Sequence, residues 1–531
     1  MGGFVNEPIT SFSSAANREK FAGALRYVRG EFGLEYPLVI DGKAVKTGAW
    51  RESFNPSKRS EVVGRVAVAT EADADHAIAA ARRALGGWRR TRVPERAEKL
   101  RNAAETMRKR RFELAAWVTF EAGKPWREAD ADVAEAIDYL EYYAAGVEGM
   151  ALRPRRRDLP GEENTLTHEP KGVCVVLGTW SFPLALLSNM TAAALATGNT
   201  VVMKPASATT VVGAKFAEIL NEAGLEPGVL NYLPGAGAVV GKHLAASPEV
   251  NVVAFTGSRD VGTEILRMAP MAPVTQQHIK RVIAELGGKN AIIVDDDADL
   301  GEAVGGVVKS AFGYSGQKCT ACSRAVVLES VYEEFCGKLA EATESLMIGP
   351  ADDPGTYVGP VIDGESRARI MRYVEIGRGE GRVLVDRSED GPAGDGYFVG
   401  PIIFTDVDAA AAIAQEEIFG PVLAVIRARD FDDALAIANG TRYALTGGVY
   451  SRSPAHIEQA KREFLVGNLY INRKITGSRV DIEPFGGLKM SGDGAKAGGP
   501  EYLHWYCDAR TITEHTLRHG LAPAQEVQTR V

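Results

Sequence analysis

From Gly172 onward the chain repeats one unit, a short unbroken apolar run followed by an amphipathic segment. The runs are Val173-Cys174-Val175-Val176-Leu177, Thr200-Val201-Val202-Met203, Val229-Leu230-Asn231-Tyr232-Leu233 and Val250-Asn251-Val252-Val253-Ala254-Phe255. Helix-period segments lie between them, around Thr210 to Glu222, which closes on Gly224, and near Val239 to Ala246. Strands covered on both faces read as continuous apolar runs, and their alternation with helices predicts a parallel, doubly wound sheet. A second series starts at Asn290-Ala291-Ile292-Ile293-Val294, passes a helical Leu300 to Phe312, and continues to about Tyr470. The first part reads as largely helical. Leu100, Ala103, Ala104 and Met107 keep the i, i+3, i+4, i+7 spacing, as do Val133, Ala136, Ile137 and Leu140. The stretch Arg153 to His168 carries charge, Pro and Gly without a helix period and reads as an extended arm. The expected units are 1–150 with 170–286, then 287–470, then an arm from 151–169 and 495–520. A loop and linker, 471–494, and a tail, 521–531, complete the chain.

Its 531 residues suffice for large cores without disulfides, and 45% hydrophobic with 24% charged residues is an ordinary globular balance. That excludes a disordered chain, a collagen-like one and a membrane bundle. With 61 Lys plus Arg against 69 Asp plus Glu, the net charge of −8 argues against nucleic acid as a partner. Two basic clusters stand out. Arg108-Lys109-Arg110-Arg111 reads as the solvated face of a helix, and Arg153 to Arg157 falls in the arm. Five cysteines, an odd number, do not form a secreted disulfide framework. No charged and apolar leader opens the sequence, and Asn6 spoils a myristoylation pattern. The most apolar stretch, Phe182 to Gly198, is broken by Ser188, Asn189 and Thr191, so no membrane span is expected. A reducing, aqueous compartment follows, most simply the cytoplasm. No internal period of solenoid length recurs.

Four features carry chemistry. Glycine turns between a strand and a helix bind phosphates through bare N–H groups and the helix dipole. Gly235-Ala236-Gly237 misses the dinucleotide fingerprint because Val240 stands at its next glycine, and Gly241-Lys242-His243 is not a P-loop. Phe255-Thr256-Gly257-Ser258, leading to Gly262, follows a buried strand and opens a helix, and a merely structural turn competes evenly with a phosphate site there. Lys204 ends a buried strand, where a lysine either holds ribose or phosphate oxygens or simply leaves the sheet for water. Cys319 sits in Gly316-Gln317-Lys318-Cys319-Thr320-Ala321-Cys322. A single cysteine is more often a buried hydrophobe than a nucleophile. Here a glycine turn and the cation of Lys318, which should lower the thiol pKa, favour the nucleophile. The Cys319–Cys322 spacing also fits a redox pair or half a zinc site. With no second pair, and Cys174, Cys336 and Cys507 in apolar or helical contexts, no metal is expected. Glu285, on the apolar segment Ile283 to Lys289, is a general base if buried, or a carboxylate paired with lysine.

Together these residues resemble the NAD(P)-dependent aldehyde dehydrogenase superfamily, from about Asn6 to Arg510. The specific pieces are Phe255-Thr256-Gly257-Ser258, Glu285-Leu286-Gly287-Gly288, Gly316-Gln317-Lys318-Cys319, Glu416-Glu417-Ile418-Phe419-Gly420-Pro421 and Pro484-Phe485-Gly486-Gly487. Within it, the chain is most similar to the branch that oxidises L-glutamate γ-semialdehyde in proline catabolism. That likeness rests on Asn6-Glu7-Pro8-Ile9, the run Asp132 to Tyr139, and above all Asn472-Arg473-Lys474-Ile475-Thr476-Gly477-Ser478. The length is too short for the bifunctional form with a proline dehydrogenase domain.

The resemblance implies an α/β fold of two doubly wound parallel-sheet domains, cofactor and catalytic, plus an oligomerisation arm. It implies 1–150 and 170–286 for the NAD(P) domain, 287–470 for catalysis and 471–494 for the substrate anchor. The Cys319 thiolate attacks the aldehyde, hydride leaves to the nicotinamide, and Glu285 activates water against the thioester. Lys204 would hold the adenosine ribose, and Gly257, Ser258 and Gly262 the pyrophosphate turn. Glu417 would bond the nicotinamide ribose, and Phe419 pack on it. Thr320, Gly477 and Ser478 would hold the substrate α-carboxylate, with Phe182 and Phe485 flanking its chain and Glu135 paired to Lys318. The small-molecule substrate, no nucleic acid, no membrane, and a homodimer or higher homo-oligomer complete the expected partners.

Three departures qualify the likeness. Ser181 stands where the family has the oxyanion-binding Asn, and its shorter side chain predicts slower turnover. Ser207 replaces the Glu that repels a 2′-phosphate in many NAD-preferring relatives, so NAD use with NADP also accepted is expected. Thr320 follows the cysteine where related enzymes have Ser, and it keeps the hydroxyl. Cys322 adds the possibility of a reversible Cys319–Cys322 disulfide. Two other readings stay open at this point, oxidation of a different aldehyde and a cofactor-binding protein whose catalysis has weakened at Ser181.

Overall fold

The computed structural model describes residues 4–151, 158–271 and 273–516. Two seven-stranded sheets organise it. In the first, the strands lie in the order Arg281–Glu285, Val252–Thr256, Val173–Leu177, Thr200–Lys204, Leu230–Tyr232, Leu38–Ile40, Lys43–Val45. The five strands from Arg281–Glu285 to Leu230–Tyr232 are parallel, and the N-terminal pair closes the edge in antiparallel fashion. Val173–Leu177, Thr200–Lys204 and Val252–Thr256 are buried along their whole length, as their apolar runs predict. Chain order reverses between Val173–Leu177 and Val252–Thr256, which opens a crevice beyond their carboxyl ends.

The second sheet runs Arg382–Asp386, Ile402–Thr405, Val422–Ala428, Cys322–Leu328, Asn290–Val294, Thr446–Tyr450, Asn468–Ile471. Only its first strand is antiparallel. Its reversal falls at Asn290–Val294, flanked by Cys322–Leu328 and Thr446–Tyr450. The helices expected at Thr210–Glu222 and Leu300–Phe312 form with those limits.

The N-terminal part is largely helical, as read, but it also holds strands that the reading missed. Helices Ala15–Gly30, Glu71–Trp88, Val93–Lys109, Arg111–Ala122 and Trp126–Ala151 form, with Leu100, Met107, Ile137 and Leu140 in the core. Five strands nevertheless fall between Glu35 and Ala67. Trp50–Asn55 and Lys58–Ala67 are polar and largely exposed at one end, so no apolar run announces them. The solvated basic helix face is corrected. Arg108 to Arg111 straddle the junction of two helices. There Arg108 bonds Glu7 and Glu141 (2.9 and 2.8 Å), and Arg111 bonds Asp130 and Glu7 (2.7 and 3.2 Å). Tying down the N-terminal segment is the work of this cluster. Asn6 joins in, donating to Asp138 (3.0 Å) and to the Val480 carbonyl (3.0 Å).

The segment read as an arm contains the strand Glu162–Pro170, paired antiparallel over nine residues with Cys507–His515. Apart from Cys507, the second strand is exposed throughout. The cluster Arg153 to Arg157, the arm beyond residue 516 and the tail 521–531 lie outside the described residues. Among the described residues no helix is long and apolar enough to cross a membrane.

Candidate active site

The crevice at the first sheet's reversal is a cavity of about 1140 Å³. Its floor is the strand ends Leu177, Lys204 and Thr256, and its far wall crosses to the second sheet through Cys319, Glu417 and Phe419. Ser181, Ser207, Gly257 and Ser258 line it as well. Ser258 caps the helix Arg259–Met268, its Oγ accepting from Val261 N (3.5 Å), so a helix N-terminus opens on the cavity. Gly262, one turn in, packs against Leu286, and a Cβ there would fall 2.2 Å from that side chain. Lys204 is buried, its ammonium donates among the described residues only to the Pro205 carbonyl (3.1 Å), and burial brings its pKa down to about 8. Ser207 Oγ donates to Gly235 O (3.4 Å). A cavity of this volume, lined by a buried lysine and by a helix N-terminus, fits a dinucleotide. Gly237 and Gly241, from the turns that matched no fingerprint, line it too, because the fold brings them there without the motif spacing.

Cys319 follows a tight turn. Tyr314, Ser315 and Gly316 take left-handed backbone angles (φ 53°, 55° and 67°), and a Cβ on Gly316 would lie 2.4 Å from the Gly420 carbonyl. Gln317 is buried and locks the turn, donating to Pro360 O (3.1 Å) and accepting from Ile362 N (2.8 Å). Asn290 donates to the carbonyls of Cys319 (2.7 Å) and Ala321 (2.9 Å), and accepts from Thr446 N (3.0 Å). Neither Gln317 nor Asn290 was singled out by sequence. A buried amide with all its bonds to backbone has no local signature. The thiol pKa is raised, first by burial and then by the charges of Glu285, Glu417 and Glu135.

The expected activation by Lys318 is therefore corrected. Its ammonium is held by Glu128 at 2.7 Å, which neutralises it. The pairing of Glu135 with Lys318 is corrected by the same contact. Glu128 lies seven residues earlier on the helix Trp126–Ala151, about two turns along it. Glu135 accepts from Tyr139 OH (3.1 Å), and its pKa is pushed up to about 8 by burial and by Asp132. Cys322 is buried in the second sheet's core, its thiol donating to Arg324 O (3.3 Å), and both cysteines are free.

Glu285 ends the strand Arg281–Glu285 and is buried. One oxygen accepts from Gly487 N (3.4 Å), and the other has no partner. Burial, then Asp493, raise its pKa well above the carboxylate range, while Gly487 and Lys496 oppose the rise. Glu417 accepts from Gly288 N (2.9 Å) and is also raised by burial. Phe419 meets Trp180 edge-on, centroids 5.2 Å apart. Ser181 Oγ lies 3.2 Å from Thr179 Oγ1.

Beyond Cys319 lies a dense set of buried charges. Lys124 and Asp132, both fully buried, pair at 3.0 Å, and Asp132 also accepts from Ala185 N (2.8 Å) at the start of the helix Ala185–Ala196. The Lys124 ammonium stands 3.7 Å from the centre of the Phe182 ring. Lys474 stands exposed beside them and feels both Lys318 and Glu128; partial desolvation and the Lys318 charge lower its pKa. Gly477 is left-handed (φ 76°), and Ser478 Oγ lies 2.7 Å from Tyr470 OH. The Thr320 carbonyl accepts from Thr446 Oγ1 (3.4 Å). Phe485 is fixed by paired backbone bonds with Ala497 (2.9 and 2.7 Å). Lys124, in the loop before the helix Trp126–Ala151, and Glu128, in its first turn, went unread in the sequence because charges outside an apolar run look solvated.

The Aldehyde dehydrogenase family profile matches residues 44–512. The chain is 50% identical over 515 residues to the 1-pyrroline-5-carboxylate dehydrogenase of Geobacillus thermodenitrificans (strain NG80-2), covering 96% of this chain and 99% of the relative. It is 49% identical over 514 residues to 1-pyrroline-5-carboxylate dehydrogenase 2 of Bacillus subtilis (strain 168), with the same coverage. Among solved structures, 1-pyrroline-5-carboxylate dehydrogenase from Thermus with bound NAD superposes at a TM-score of 0.94 and 46% identity, over 97% of this chain and 99% of that one. Proline utilization A (PutA) from Bdellovibrio bacteriovorus reaches 0.96 at 46% identity over 99% of this chain, which spans 54% of that longer one. A cysteine pinned by its backbone in the wall of a dinucleotide-sized cleft, and five motifs in order between Phe255 and Gly487, agree with these likenesses: the chain belongs to the aldehyde dehydrogenase family.

Proposed function

We propose that the protein oxidises L-glutamate γ-semialdehyde, formed by ring opening of 1-pyrroline-5-carboxylate, to L-glutamate. The observation that carries this is the position of Cys319. It stands between the cleft suited to a dinucleotide and a polar end built from Lys318, Lys474, Gly477 and Ser478. The relatives named above supply the substrate. Cys319 first loses its proton to solvent, the thiolate adds to the aldehyde carbon, and the backbone N–H of Cys319 with the Ser181 hydroxyl receives the oxyanion. A bound oxidised nicotinamide supplies the acceptor for the hydride leaving that carbon, and a positive ring charge. Glu285 takes a proton from water, whose oxygen adds to the thioester carbonyl, and the C–S bond breaks to return Cys319 and release the acid.

Lys204, Ser207, Gly257, Ser258 and Gly262 serve the adenosine and pyrophosphate end, and Glu417 and Phe419 the nicotinamide end. Thr320, Gly477 and Ser478 take the α-carboxylate, with Phe182 and Phe485 along the chain. On this reading 1–150 with 170–286 is the cofactor domain, 287–470 the catalytic domain and 471–494 the anchor. NAD is the cofactor, and NADP is accepted because Ser207 puts no negative charge beside a 2′-phosphate. The exposed ribbon of Glu162–Pro170 and Cys507–His515 pairs with a second copy, which sedimentation of the purified chain checks.

Cofactor reduction is measured with the semialdehyde, with propanal, and with Cys319→Ala. Semialdehyde oxidation at a kcat/KM at least 100-fold above propanal, abolished in Cys319→Ala, is expected. Equal use of both aldehydes would overturn the substrate assignment.

A further inference from the structure

The loop that closes over Glu285 is itself clamped, and one lysine holds the clamp. The Lys496 ammonium donates to the carbonyls of Gly486 (2.6 Å) and Gly467 (2.6 Å) and to Asn468 Oδ1 (3.1 Å). Asn468 in turn donates to Pro484 O (3.0 Å). The peptide group between Gly486 and Gly487 therefore has its oxygen on a cation, while its N–H points at Glu285 Oε2 (3.4 Å). A cation on a peptide oxygen draws electron density from the nitrogen and makes the N–H a stronger donor. The backbone must come this close to do it. A Cβ on Gly486 would stand 2.9 Å from Glu285 Oε1 and 2.0 Å from the Ala495 carbonyl. Phe485, in the same loop, is fixed on Ala497, the residue next to Lys496.

We propose that Lys496 is a positioning residue for hydrolysis of the thioester: through the Gly486–Gly487 peptide it fixes the seat of Glu285 and the wall at Phe485. The inference rests on Glu285 being the general base, as read above. The charged and titratable groups that bear on Glu285 come from several elements. Asp493 lies in the same closing loop, its carboxylate accepting from Ala284 N (3.0 Å) and Ala495 N (3.1 Å). Cys319 comes from the turn before the second sheet, and Tyr502 from the short helix Tyr502–Tyr506. Asp493 favours the protonated form of Glu285, and Lys496 the ionised form. Removal of the two charges must act in opposite directions.

The test is rapid mixing with the semialdehyde and NAD, followed by acid quench to trap acyl-enzyme, across pH 6 to 10. Lys496→Met is expected to keep the cofactor-reduction burst within about twofold, to slow acyl-enzyme decay about tenfold, and to move the acid limb of decay upward by about 0.5–1 pH unit. Lys496→Arg restores the limb, because a guanidinium keeps the charge and the donors. Asp493→Asn moves the limb downward, with a readout independent of whether Lys496→Met folds. Glu285→Gln, run alongside, separates the two readings. If it decays at the normal rate, the general-base assignment fails and this proposal with it. If it stalls as acyl-enzyme while Lys496→Met decays with an unmoved limb, or if Asp493→Asn moves the limb upward, the Lys496 proposal alone is overturned.

Discussion

The two ends of the proposed site both bury lysines, and they do so in opposite ways. Lys204, at the proposed cofactor end, has no carboxylate partner among the described residues, and burial lowers its pKa to about 8. Lys124, at the substrate end, is fully buried on Asp132 and stands over Phe182. One cation is left wanting an anion, the other already has one. The end at Lys204 is built mostly from strand ends and backbone turns, and on the proposed reading its charge serves a ligand. The substrate end is built from side chains that neutralise each other, Lys124 with Asp132 and Lys318 with Glu128, and its charges shape the wall.

The largest effect should come from breaking a pair at the substrate end. Lys124→Met leaves Asp132 buried without its cation and removes the support of Phe182. A stability loss of about 3–5 kcal/mol in urea unfolding is expected, with semialdehyde KM raised in whatever protein folds. Lys124→Met with Asp132→Asn should recover much of the loss, since no bare charge remains. Full stability of the single variant would show that the two ends do not differ.

Lys204→Met is the matching change at the other end, and its loss should appear in binding instead. Removing one charge-assisted contact raises the dissociation constant for the cofactor on the order of 10- to 100-fold by titration calorimetry, with no loss of fold stability. The pH dependence has a definite sign. The folded value is lowered from 10.5 to about 8, so between these pH values the unfolded chain binds more protons than the folded one. Wild-type stability therefore rises with pH across that window, and Lys204→Met lacks the rise. Cofactor affinity of the wild type falls as pH climbs through about 8.

The same contrast decides what could be read from sequence. Val173–Leu177, Thr200–Lys204 and Val252–Thr256 announced themselves as apolar runs, and a parallel sheet with a reversal puts its ligand beyond those ends. Position alone made Lys204 and Ser258 candidates and left a bland alternative open for each; the family resemblance supplied their expected roles. The strands of Trp50–Asn55 and Lys58–Ala67 did not announce themselves, because a small three-stranded sheet with many exposed polar residues carries no apolar run. At the substrate end, Glu128 and Glu135 lie two turns apart on one helix, and only the packing of Lys318 decides between them. Side-chain partners across hundreds of residues are a property of the tertiary fold, and no local spacing encodes them.

Ser181 sits at the seam between the ends, in the loop after Val173–Leu177, with its hydroxyl near Thr179. Ser181→Asn extends a donor toward the oxyanion. A kcat increase of about tenfold is expected, below the roughly 10²–10³-fold worth of a full oxyanion donor. An unchanged kcat would mean that the N–H of Cys319 and the present hydroxyl already suffice.

The smallest effect concerns the seam's other occupant, and it asks which end controls the nucleophile. Cys319 is raised by burial first and by Glu285 next, while the adjacent Lys318 is neutralised by Glu128. Alkylation of the cofactor-free enzyme by iodoacetamide reports the thiolate fraction directly. Its rate should climb with pH without levelling off near the ordinary thiol value. Glu285→Gln removes a negative charge beside the sulfur, so it should raise the rate at pH 8 by about two- to fivefold. Lys318→Met should change it less, because the cation it removes is already spent on Glu128. If Lys318→Met instead slowed alkylation more than Glu285→Gln sped it, the lysine would be acting on the sulfur after all, and the pairing of charges at the substrate end would not be the closed arrangement its distances describe.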